Sequence, residues 1–78
     1  MREKRLSLIV TFRTTTAAMA MERYCHENGV PGRLIPVPRT ITAGCGMCWA
    51  APKEAREAVE ELVMDQHLDV DGIYAILL

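Results

Sequence analysis

The sequence predicts an α+β fold, with two helices covering one face of a four-stranded antiparallel sheet. Three observations carry this. Two segments, 17–28 and 53–67, place apolar residues at helical spacing. Four short apolar stretches surround them. Their order along the chain is strand, helix, strand, strand, helix, strand.

RLSLIVTF (5–12) opens the series. Rich in β-branched and apolar residues, it reads as a strand buried on both faces. Thr14, Thr15 and Thr16 follow, and a threonine hydroxyl there caps the next helix. In AAMAMERYCHEN (17–28), Ala17, Ala18, Met21, Cys25 and Asn28 share one face, while Arg23, His26 and Glu27 turn to water. Gly29 supplies the left-handed stop, and Pro31 bars continuation. GRLIPVP (32–38) is extended, but its prolines cannot donate ladder hydrogen bonds, so it belongs at a sheet edge.

RTITAG (39–44) reads as a loop and CGMCWA (45–50) as a short strand. Pro52 suits the first turn of the second helix, KEAREAVEELVMDQH (53–67). That helix buries Ala55, Val59, Leu62 and Val63. Lys53 with Glu57 and Arg56 with Glu60 form i,i+4 pairs on its wet side. DVDG is a turn and IYAILL (73–78) the last strand. The βαββαβ order is the split arrangement of ferredoxin-like sandwiches, here a single domain over 1–78.

Composition narrows the function. A net charge of −1 argues against nucleic acid, which wants a basic excess. No apolar run approaches the roughly 18 residues that span a bilayer. LSLIVTF, after the charged first five residues, is too short and too Thr-rich for a signal peptide, so a cytoplasmic protein is expected. Three cysteines, an odd count, speak against a disulfide framework. In a reducing compartment such thiols pack, bind metal or do chemistry.

Tracing strand directions gathers several residues on one rim. Arg13, Thr14 to Thr16, Pro36, Pro38, Arg39 and the loop to Cys45 converge there, with His67 and the Asp69 to Asp71 turn close by. A helix N-terminus and two arginines favour a thiolate over a thiol. Gly44 and Gly46 leave the backbone around Cys45 uncrowded and suit a turn whose N–H groups hold an anion. Glu22 is read as a partner of Arg13 or Arg39, or as a solvated residue. Trp49 and the methionines Met19, Met21, Met47 and Met64 are read as packing.

Cys45 and Cys48 form a CxxC. Active pairs of this kind sit at helix N-termini, where i and i+3 share a face. An extended segment puts them on opposite faces, so a strand beginning at Cys45 buries Cys48 and separates the sulfurs. Zinc wants about four ligands, and only Cys25, His26 and His67 stand beyond the pair. Cys25 and Cys48 read as packing residues.

These residues resemble a known family. TFRTTT…E, G-V-P…LIPVPR and GCG are similar to the small bacterial family described as selenium/sulfur carrier protein-like. The similarity runs from Phe12 to about Ala50. Its Pro-x-Pro-Arg falls on Pro36 to Arg39, its Cys-Gly on Cys45 and Gly46, and its helix glutamate on Glu22. Cys48 and Trp49 depart from the small or aliphatic residues usual there, which makes Cys48 a candidate auxiliary thiol.

The resemblance implies a carrier whose Cys45 accepts sulfur or selenium as a persulfide or selenosulfide and passes it on. Arg13, Arg39, Gly44, Gly46, Thr14 and Thr15 would hold the negative charge. The donor would be a protein such as a cysteine desulfurase, with an acceptor of unspecified identity. No tightly bound organic cofactor and no metal are required. Two alternatives stay open: an interaction or homodimerisation module without chemistry, and a small zinc protein using Cys45 and Cys48.

Overall fold

A computed structural model describes residues 5–41 and 44–77. Met1 to Lys4, the loop residues Thr42 and Ala43, and Leu78 at the end of the expected last strand lie outside that range. The elements are β1 (Leu6–Phe12), α1 (Thr15–Glu27), β2 (Arg33–Pro36), β3 (Met47–Pro52), α2 (Arg56–Asp65) after a 3-10 turn at Lys53–Ala55, and β4 (Val70–Leu77). The sheet order is β2-β3-β1-β4 with every pairing antiparallel, the ferredoxin-like arrangement expected.

β1 is a central strand, and its lack of alternation is explained by what lies on each side. Leu8, Val10 and Phe12 face the helices and pack with Ala18, Met21, Cys25, Trp49 and Val59. Ile9 and Thr11 point the other way and are equally buried. β2 is an edge strand of four residues ending at Pro36, as the prolines require.

α1 begins two residues earlier than its apolar stripe suggests. The Thr14 hydroxyl accepts a hydrogen bond from the Ala17 N–H at 3.1 Å, so the cap sits just ahead of Thr15. Ala17, Ala18, Met21 and Cys25 are buried as expected, but Asn28 is the exposed C-cap. At the far end of α2, His67 takes the left-handed conformation (φ 52°). Its N–H reaches the Met64 carbonyl and that of Leu68 the Val63 carbonyl, closing the helix.

Several boundaries differ from expectation for local reasons. β3 starts at Met47 rather than Cys45, because Gly46 has φ 79° and breaks the extended run. Pro52 ends β3 and caps the 3-10 turn instead of entering a helix. Arg56 meets Glu60 at 3.2 Å, whereas Lys53 sits in the 3-10 turn, outside the α-helical geometry an i,i+4 pair needs. DVDG is not a turn. β4 already begins at Val70, and Asp71 is the extra residue of a bulge opposite Thr11 and Phe12. Met19 and Met64 are exposed (59% and 75%) rather than packed.

The face away from the helices is not bare. The connection leaving β2 at one edge reaches the opposite edge, where Thr40 and Ile41 line a cleft of about 490 Å³ with Tyr74, Ala75 and Ile76 of β4. On this same face Thr11, its register partner Cys48 and the neighbouring Ile9 are all 0% exposed.

Candidate functional site

The rim forms where the strand directions place it. Arg13 closes β1, Thr14 caps α1, and the returning loop is pressed against the junction between them. A Cβ on Gly44 would lie 3.2 Å from the Arg13 carbonyl oxygen. The loop's two ends are tied by the Val37 N–H donating to the Gly46 carbonyl at 3.0 Å. Between these anchors Cys45 sits on a turn, half-buried against the edge of the helix-side core. Its thiol donates to the Met47 carbonyl at 3.2 Å, which fixes the direction of Sγ.

Gly46 opens the approach. A Cβ there would meet nothing within 4 Å, so the chain next to Cys45 is uncrowded among the described residues. The other thiols are sealed. Burial pushes Cys25 up to about 11, and burial together with the nearby Cys45 charge pushes Cys48 up to about 11. All three cysteines are free thiols.

The register fixes Cys48 but not Cys45, which stands on the turn ahead of β3. Cys48 lies opposite Thr11 and Ile35 on the face away from the helices, whereas Cys45 packs against the helix-side core. The two thiols thus differ in setting: Cys48 is fully buried within a strand, and Cys45 is half-buried on a turn. Among the described residues no three His, Cys, Asp or Glu side chains gather as metal ligands.

The arginines depart from expectation. Arg13 Nη1 binds Asp69 Oδ1 at 3.0 Å, and its Nη2 lies 3.6 Å from Asp71 Oδ1. Two carboxylates thus offset its charge, and it clamps the start of β4 to the end of β1. Sequence reasoning put these three residues on one rim but did not pair them. Arg39 is exposed and makes no ion pair among the described residues. Glu22 is exposed and pairs with neither arginine.

Thr14 spends its hydroxyl on the helix cap, and Thr15 is the exposed first residue of α1. The N–H groups of Thr15 and Thr16 lack intrahelical acceptors, as the first turn of any helix does. His67 is exposed. No helix among the described residues is long and apolar enough to cross a membrane.

Comparison with known proteins finds no matching curated sequence and no matching solved structure. A family model described as "Putative Se/S carrier protein-like" matches residues 7–75, from β1 to the middle of β4. That match takes in both helices, all four strands and the Cys45 turn, so the chain belongs to this Se/S carrier protein-like family.

Proposed function

We propose that Cys45 carries sulfur or selenium between proteins as a persulfide or selenosulfide. One observation carries the reading beyond family membership: of three thiols, Cys45 alone is partly exposed, on a turn with open space at Gly46. The Cys45 thiolate attacks the terminal sulfur of a donor persulfide, such as that on a cysteine desulfurase. A bond forms between Sγ and that sulfur, the donor's S–S bond breaks, and the donor leaves as a thiolate. An acceptor nucleophile then attacks the same terminal sulfur and releases Cys45. No net oxidation occurs, and no second cysteine is needed. The full burial of Cys48, with its pKa pushed up to about 11, favours this single-thiol route over a dithiol one. In this reading the first-turn N–H groups of α1 and the guanidinium of Arg39 hold the anionic sulfur's charge, while Arg13 clamps β4 to β1. The chemistry suits a reducing, cytoplasmic setting.

The test is mass spectrometry after incubation with a persulfide-loaded donor or selenite and thiol. Wild type and Cys48→Ala should gain about 32 or about 80 mass units, reversible by reductant. Cys45→Ser should gain nothing. An adduct that persists in Cys45→Ser, or none in wild type, would refute the assignment.

A further inference from the structure

At the end of the sheet far from Cys45, a groove of about 970 Å³ opens between the start of β1, the start of β2 and the end of β3. Ile35, Ala50 and Pro52 give it an apolar floor, since the register sets them on the face away from the helices. Arg5, Arg33 and Lys53 stand around it, with Glu54 as the one carboxylate among the described residues. None of the three cations forms an ion pair among the described residues. The groove therefore concentrates positive charge in a chain whose formal charge is −1.

We propose that this groove docks an acidic, partly apolar peptide segment of a partner protein. The cations match carboxylates, and the floor accepts aliphatic side chains. Strand addition at the neighbouring edge is disfavoured because β2 is four residues long and ends in proline, so side chains rather than a shared ladder hold the segment. The groove's far end at Lys53 lies a β3 length, about 20 Å, from the Cys45 turn, and its floor reaches back to Ile35 on the face away from the helices. A partner seated there leaves the thiol uncovered. The inference stands on the groove alone and does not depend on the chemistry of Cys45.

The probe is a nine-residue peptide of Glu-Glu-Leu repeats, titrated into uniformly 15N-labelled protein, with a Gln-Gln-Leu peptide and inorganic triphosphate as controls. The acidic peptide should shift the amides of Arg33, Ala50 and Lys53 and leave Gly44 to Met47 unmoved. Raising salt should weaken it, and the double change Arg33→Glu with Lys53→Glu should reduce affinity at least about ten-fold. Both side chains are exposed, and a thermal melt reports whether the double variant keeps its fold. If that variant fails to fold, the wild-type salt dependence and shift map decide. Equal binding of the Gln peptide, shifts outside the groove, or tighter binding of triphosphate than of the acidic peptide would overturn the proposal.

Discussion

Alkylation of the native protein should separate the three cysteines by orders of magnitude. At pH 8, a thiol with its pKa raised to about 11 is ionised in about one molecule per thousand, as at Cys25 and Cys48. An ordinary cysteine, with a pKa of about 8.5, is about one-quarter ionised at that pH. The ratio alone slows Cys25 and Cys48 by about 200-fold against a free thiol. Both are 0% exposed, so the reagent also waits for a local opening. Cys45 needs no such opening. Iodoacetamide labelling with peptide mapping, from pH 7 to 11, reads this directly. Cys45 should label first at pH 8, and the Cys25 and Cys48 rates should climb about ten-fold per pH unit toward 11. In urea all three should react alike. Native labelling of Cys25 or Cys48 at the rate of Cys45 at pH 8 would show that the sealed-thiol description is wrong.

The same two thiols make the fold alkali-sensitive. Their folded pKa values, about 11, lie above the ordinary value of about 8.5, so their contribution is fully present below about pH 8.5 and is lost as pH rises to about 11. Denaturant titrations should show a loss of order 3 kcal/mol per thiol across that window, reduced in Cys48→Ala. Gly32→Ala should be severe, because a Cβ would lie 2.6 Å from both the Ala50 carbonyl oxygen and Trp49 Nε1, at a backbone φ of 141°. A loss of about 2–3 kcal/mol, seen as a melting temperature lower by more than about 10 °C, is expected. Arg13→Ala, by contrast, removes an exposed clamp and should change stability by no more than about 1 kcal/mol. With its charge already offset by Asp69 and Asp71, the Cys45 alkylation rate should stay within about two-fold at 0.15 M salt.

Much of the architecture was readable from residue types, because helix stripes, caps and proline exclusions are local properties. Cys25 and Met21 announce their burial by spacing from Ala17 and Ala18, and Thr14 announces the cap. Pro36 alone tells that β2 lies at an edge. The family resemblance and the candidate thiol were also legible, since they rest on short motifs around Cys45. Three features were not. Gly46 permits a left-handed turn but does not demand one, so the shift of β3 from Cys45 to Met47 depended on how the loop closes onto Val37.

Arg13 has several acidic residues within the chain's reach, and only the bulged start of β4 chose Asp69 and Asp71 over Glu22. The loop that leaves β2 at one sheet edge reaches β4 at the other, a long-range event with no periodic signature. Local chemistry thus determined which elements form and which sulfur to suspect. Tertiary contacts decided which charges are spent, which thiols are sealed and where the remaining cations gather, because those outcomes depend on side chains that are neighbours only in space.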